Sequence, residues 1–155
     1  MTPAINAAQK ANISYKVHEY QHDSNAESFG LEAAAKLGVA MDIVFKTLVV
    51  QADSNRLAVA VIPVSSQLSM KLIAKAVGAK KVMMADKGDV MRSTGYVLGG
   101  VSPLGQKKRL CTIIDSSAIA YDSIFVSAGR RGLEIELTPD DLRELVKGTF
   151  HDICQ

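Results

Sequence analysis

The clearest hydrophobic pattern lies in the middle of the chain. Lys46 to Gln51 and Leu57 to Val64 are strand-sized apolar runs, and Asp53-Ser54-Asn55 between them is turn chemistry. The second run is apolar without alternation, which predicts a strand in the centre of a sheet. Leu68 to Val77 carries Leu68, Leu72, Ile73 and Ala76 on one helical face and stops at Gly78. Thr2-Pro3 opens a short helix to about Ala11, and Ser28 caps a second over Gly30 to Leu37, stopped by Gly38. Asp86 caps a third short helix that Gly95 ends. Thr138-Pro139-Asp140-Asp141 has the cap and acidic first turn of a last one, running to about Lys147 before Gly148. Further strands are predicted at Tyr15 to Tyr20, Lys81 to Met84, Leu110 to Ile114, Ser123 to Ser127, Leu133 to Leu137 and Thr149 to Cys154. Gln21 to Glu27 reads as a polar loop.

Strands outnumber crossover helices in this order. That predicts an α+β fold with a mixed, largely antiparallel sheet rather than a doubly wound one. No repeat, low-complexity tract or Pro/Gly/Ser-rich linker divides the 155 residues, so a single domain over 1–155 is expected. Hydrophobic residues are 48 % and charged residues 22 %, which excludes disorder, collagen and coiled coil as overall descriptions.

The formal net charge of +2 is too small to announce a nucleic-acid partner, so clustering of the charges must decide. The two cysteines, Cys111 and Cys154, have no CxxC spacing, which argues against a disulfide framework or a zinc finger. A reducing cytoplasm is the expected location, and no metal or other cofactor is expected. The start of the chain has no basic segment followed by an apolar run, and no stretch reaches transmembrane length. Neither a membrane nor DNA is an expected partner.

Three segments concentrate unusual residues. In Phe45-Lys46-Thr47-Leu48 a lysine opens an apolar strand. It either snorkels from a strand end or places a cation at the mouth of a cavity, where it would bind phosphate or a carbonyl oxygen. Ser93 to Arg109 contains Gly95, Gly99, Gly100, Gly105 and Pro103. Gly99-Gly100 lets the backbone approach a ligand and point N–H groups at an oxyanion, although a bent strand with bulges is the alternative. Its basic end, Lys107-Lys108-Arg109, taken alone reads as a solvated face. Arg130 and Arg131, between Gly129 and Gly132, suit a loop that grips phosphates or a plain basic hairpin loop. Tyr20, Phe29 and Tyr96 flank loops and either stack on a base or belong to the core. His18 and His22 lack a ligand set, and GxSxG, GxGxxG and GxxxxGK[ST] are all missing.

These residues resemble the YbaK/EbsC superfamily of trans-editing aminoacyl-tRNA deacylases, most closely its Cys-tRNA(Pro)-deacylating type. The likeness runs nearly end to end and is strongest over Ser93 to Arg109, with Phe45 to Leu48 and Ser127 to Leu133 agreeing. It implies a compact domain around a barrel-like sheet, similar to the editing domain of prolyl-tRNA synthetase. It implies a substrate, Cys-tRNA(Pro), and prolyl-tRNA synthetase as partner. It makes Lys46, Gly99, Gly100 and Val101 the expected catalytic positions. Tyr20, Phe29, Thr47, Ser127, Gly129 and Glu134 are the expected substrate-binding ones. With tRNA as substrate, Lys107, Lys108, Arg109, Arg130 and Arg131 become the expected tRNA contacts. Two positions depart from the family pattern: Ala128 stands where a second glycine is expected, and Glu134 where close relatives often carry aspartate.

The resemblance also implies a mechanism without a protein nucleophile, in which the cysteine thiol of the substrate attacks its own ester carbonyl. Other readings stay open on the residues alone. One is a deacylase for another small residue such as alanine on tRNA(Pro). Another is a non-catalytic tRNA- or synthetase-binding module, for which Lys80-Lys81 would serve as well. A third is a small-molecule hydrolase unrelated to tRNA.

Overall fold

The structure is a computed structural model that describes residues 1–25 and 28–155. Ala26 and Glu27, at the end of the predicted loop, lie outside the described residues.

In chain order the elements are α1 (Pro3–Lys10), β1 (Lys16–Glu19), α2 (Phe29–Leu37), β2 (Phe45–Ala52), β3 (Leu57–Pro63) and α3 (Met70–Val77). There follow β4 (Val82–Met84), α4 (Lys87–Thr94), β5 (Cys111–Asp115), β6 (Ile124–Arg130), β7 (Leu133–Leu137), α5 (Pro139–Val146) and β8 (Thr149–His151). The helices begin where the capping residues put them. The side chains of Thr2, Ser28, Ser69, Asp86 and Thr138 each accept a backbone N–H of the first turn. Gly38, Gly78 and Gly95 close three helices in the left-handed conformation.

One helix end differs from the sequence expectation. Lys147, at φ 51°, takes the left-handed cap of α5 rather than Gly148. Gly148 serves a different need: a Cβ there would lie 2.9 Å from the Thr112 carbonyl oxygen. The last strand is also shorter than predicted, stopping at His151. Cys154 forms an isolated bridge to Leu68 instead.

The strands form a five-stranded sheet, in the order β4-β2-β3-β5-β8, and a three-stranded sheet, β1-β7-β6. Only β3–β5 and β5–β8 are parallel, so the α+β class with mostly antiparallel pairing stands as expected. β3 is the central strand. Val59 and Val61 face the core between the sheets, while Ala58, Ala60 and Ile62 face α3 on the other side, all at most 1 % exposed. Among the described residues the sheets meet at one parallel bridge, Val44 to Phe125. α2 packs Ala33 and Ala34 over that junction.

Two features of pairing leave room for a site. β4 pairs with β2 only over Val50 to Ala52, so the first half of β2 has one unpaired edge. Past the Val44–Phe125 bridge β2 and β6 run in the same direction without a further bridge. A gap opens there. The irregular segment 96–110, which contains no strand, folds over it. That segment is fastened by the Tyr96 hydroxyl donating to the Leu104 carbonyl at 2.6 Å. Lys107 and Lys108 N–H donate to the carbonyls of Thr94 and Ser93, at 3.0 and 2.9 Å. Among the described residues, no helix is long and apolar enough to cross a membrane.

Gly105 docks the segment against α1. At φ +66°, a Cβ would sit 2.5 Å from the carbonyl carbon and oxygen of Pro3. Gly105→Ala is therefore expected to cost roughly 2–4 kcal/mol, combining left-handed strain with a backbone clash. Urea unfolding checks this; an unchanged midpoint would mean that α1 is not seated on this loop.

Candidate functional site

A cavity of about 420 Å³ occupies the gap between the sheets. The open half of β2 supplies Phe45, Lys46, Thr47 and Leu48. Ser127 comes from β6, Glu134 from β7 and Tyr20 from the end of β1. Ser28, Phe29 and Gly30 at the start of α2 form one side, Leu98, Gly99 and Val101 another, with Met84, Arg130 and Arg131 at the remaining boundary. The walls are mainly apolar with a few convergent polar groups, the usual make-up of a small-ligand site.

Ten of the residues singled out from the sequence line this cavity: Tyr20, Phe29, Lys46, Thr47, Gly99, Val101, Ser127, Arg130, Arg131 and Glu134. Five do not. Gly100 is buried, a Cβ there would lie 2.9 Å from the Arg130 Cα, and its N–H already donates to the Val97 carbonyl at 3.0 Å. The N–H groups of Gly99 and Val101 make no such backbone bond among the described residues. Gly129 sits in a β-bulge between Ser127 and Arg130, at φ +110°, packed against Tyr96 and Thr2. Ala128 beside it is fully buried in the core. Lys107, Lys108 and Arg109 line a separate cavity. Phe45, Leu48 and Leu98 lay inside the flagged segments and Ser28 showed only as a helix cap, while Gly30 and Met84 carried no signal. Met84 reaches the cavity because β4 pairs with β2.

Gly99 is held where a side chain does not fit. At φ +88° a Cβ would meet Arg131 Nε and Phe29 Cε2, each at 2.6 Å. The Arg131 guanidinium lies 4.1 Å from the centre of the Phe29 ring, and its Nη2 donates to the Leu98 carbonyl at 3.2 Å. This stack joins α2, the glycine segment and the β6–β7 loop into one rim. Arg130 approaches Glu19 at 3.9 Å, both well exposed, a pair of little energetic weight.

Inside, the polar groups are poorly satisfied by the protein. The Thr47 hydroxyl is buried without a hydrogen-bond partner among the described residues, a state that most buried polar groups avoid. Lys46 has no acidic partner among the described ion pairs. Glu134 is 6 % exposed, and burial pushes its carboxyl up to about 8, so it is mostly protonated at neutral pH. Burial, with Glu134 beside it, raises the Tyr20 phenol to about 12.

Behind the Phe29 side, Glu32 of α2 is 8 % exposed. Its carboxylate holds His22 Nδ1 and the Asp23 N–H, each at 2.7 Å. Burial would raise its pKa, but those hydrogen bonds and the charges of His22 and Lys36 carry it below the usual carboxylate range. Neither His22 nor Glu32 was singled out for this contact, because a histidine ten residues before an acid follows no local spacing rule.

Comparison with known proteins follows the same lines. Residues 24–145 match the family model of the aminoacyl-tRNA editing domain. The chain is 39 % identical over 153 residues to EbsC of Enterococcus faecalis, described as a candidate Cys-tRNA(Pro)/Cys-tRNA(Cys) deacylase, with 98 % of this chain and 92 % of that protein covered. It is 26 % identical over 125 residues to YwhH of Bacillus subtilis, an uncharacterized protein, covering 80 % and 79 %. A crystal structure of a candidate trans-editing enzyme for prolyl-tRNA synthetase superposes with a TM-score of 0.87 at 21 % identity, covering 99 % and 95 %, a likeness of fold.

The raised Glu134 carboxyl has a consequence for stability. The folded state holds a proton that the unfolded state gives up near pH 4.5, so this group's contribution is complete below that pH and is lost as pH rises through about 8. Glu134→Gln is expected to remove that decline, so that the variant exceeds the parent above pH 8 while matching it near pH 5. Urea midpoints from pH 5 to 9 test it; parallel profiles would mean that Glu134 is ionised in the folded protein.

Proposed function

The chain belongs to the aminoacyl-tRNA editing domain family, and on that premise we propose that it is a deacylase that removes cysteine from mischarged Cys-tRNA(Pro). The observation that carries the reading is the cavity: a lone ammonium, a neutral carboxyl and an unpaired hydroxyl line it together with Gly99 and Val101, whose N–H groups have no backbone partner, and no cysteine or histidine lines it among the described residues.

The need for such an enzyme is physical. Small side chains of similar volume differ by little binding energy, so a synthetase that misloads one for another requires a second site to remove the error. The cavity offers a tRNA 3′ end a cation at Lys46, with Arg130 and Arg131 at its boundary. Lys46 holds the terminal phosphate or ribose. The Thr47 hydroxyl and the protonated Glu134 supply hydrogen bonds to polar atoms of the aminoacyl group. The N–H groups of Gly99 and Val101 face the oxyanion.

The lining hydroxyls of Ser28, Thr47 and Ser127 have no base hydrogen-bonded to them among the described residues, which supports substrate assistance. The thiol sulfur of the bound cysteine attacks its own ester carbonyl carbon. The C–S bond forms, the ester C–O bond breaks, and the thiol proton ends on the 3′-terminal ribose oxygen. The products are a cyclic thiolactone and free tRNA. Positioning of this kind accounts for roughly 7–11 kcal/mol of a barrier, and one oxyanion donor for about 2.7–4 kcal/mol. Release of thiolactone classes the enzyme as a lyase; attack by water would make it a hydrolase. Prolyl-tRNA synthetase is the proposed partner, and the cytoplasm the proposed location.

The deciding assay incubates the protein with Cys-tRNA(Pro) and Ala-tRNA(Pro) and follows both ester and product. Cysteine is expected to leave as thiolactone, with alanine spared. Equal loss of alanine would remove the substrate thiol from the mechanism. Lys46→Ala is expected to lose most turnover while still folded. Cys111→Ser and Cys154→Ser should keep it, since neither thiol lines the cavity.

Thr47→Val separates a binding role from a structural one. It deletes an unpaired buried hydroxyl, so stability should hold or rise slightly, whereas deacylation should fall by roughly tenfold if that hydroxyl bonds the substrate. A variant with wild-type rates would leave the hydroxyl without a part in the reaction.

A further inference from the structure

The second cavity of the molecule, about 350 Å³, is built differently from the first. Its lining includes Lys107, Lys108 and Arg109, three consecutive exposed cations, and no acidic residue among the described residues. None of the three joins an ion pair among the described residues. The chain holds 18 basic and 16 acidic residues. Three of those 18 cations are adjacent in this one run.

The triplet is not a loose tail. Lys107 and Lys108 N–H are tied to the last carbonyls of α4, and Gln106 Nε2 donates to the Ser102 carbonyl at 2.9 Å. The position relative to the first cavity is set by the chain. Val101 lines the first cavity and Pro103 the second, with fully buried Ser102 between them. The two cavities therefore lie on either side of one fixed segment. No more than about 28 Å of backbone, eight residues, separates Gly99 from Lys107. A polyanion longer than that separation has the length to span both cavities.

We propose that the Lys107-Lys108-Arg109 cavity is a second attachment point for the substrate, gripping backbone phosphates of the tRNA acceptor arm while the aminoacyl end occupies the first cavity. The proposal rests on the deacylase reading for what fills the first cavity. Three unpaired cations in a polar hollow suit phosphates, whose neutralisation releases counterions, and they contact no base and read no sequence. The first cavity then selects the amino acid, and the second supplies affinity common to any tRNA.

The test compares wild type with the Lys107→Ala/Lys108→Ala/Arg109→Ala variant on two substrates and one ligand. With Cys-tRNA(Pro), KM is expected to rise roughly tenfold or more with kcat unchanged. With a cysteinylated CCA trinucleotide, which has no acceptor stem, both constants should match wild type. Binding of uncharged tRNA(Pro) by filter retention should weaken, with a salt slope shallower by about two to three. A Lys80→Ala/Lys81→Ala variant, which removes another exposed basic pair, should bind like wild type. An equal loss on the trinucleotide, or an equal loss from the Lys80/Lys81 variant, would overturn the proposal. So would unchanged tRNA affinity together with lost binding to prolyl-tRNA synthetase, which would assign the patch to a protein partner. The uncharged-tRNA arm does not depend on deacylation. If the wild type releases no amino acid, the functional reading fails while that arm still decides the attachment point.

Discussion

The candidate site exists because two sheets that share one core are joined at a single place. Val44 and Phe125 form the only bridge between them among the described residues, and α2 packs its alanines over that point. Beyond it β2 and β6 share no further bridge among the described residues, and β4 is too short to cover the first half of β2. A fully paired β2 would leave no open edge beside Lys46 and Thr47 for the cavity to occupy. The core holds the gap open. β3 and β6 are so deeply buried that neither can shift to close it without exposing Val59, Val61 or Ile124.

The polar groups in the gap are what a folded protein alone would avoid. A buried hydroxyl without a partner and a carboxyl held protonated by desolvation both cost stability, and both lie in one cavity with an unpaired lysine. Glu32 on the neighbouring helix shows the opposite solution. It is also little exposed, but it lies away from the deep interior, and hydrogen bonds and nearby cations keep it ionised. The same residue type is thus an ionised structural anchor in one place and a desolvated, neutral group in another. The difference lies in depth and in polar partners, and the deep, partnerless carboxyl supports reading the cavity as a place for a ligand.

Much of the fold was legible because its signals are local. Capping side chains set the helix starts, Gly38, Gly78 and Gly95 set helix ends, and the uninterrupted apolar run of Leu57 to Val64 marked the central strand. Such features act through hydrogen bonds and dihedral preferences within a few residues. The chemistry-bearing segments could be picked out for the same reason, since a lysine opening an apolar strand and a glycine-dense stretch are conspicuous wherever they fold. The family likeness added roles that spacing could not supply.

What only the tertiary structure decided is which of those residues meet. It set Gly100 and Gly129 back from the cavity and put Gly99 and Val101 in it. It separated Lys107 to Arg109 from Arg130 and Arg131, which looked alike as basic clusters. It also brought in Met84 through strand pairing and tied His22 to Glu32 across a loop. By itself the sequence determined the elements, the fold class and the candidate chemistry. Adjacency came from the packing of distant strands, and so did the raised pKa of Glu134. Desolvation and distance belong to the space around a residue, and that space is filled by parts of the chain far from it in sequence.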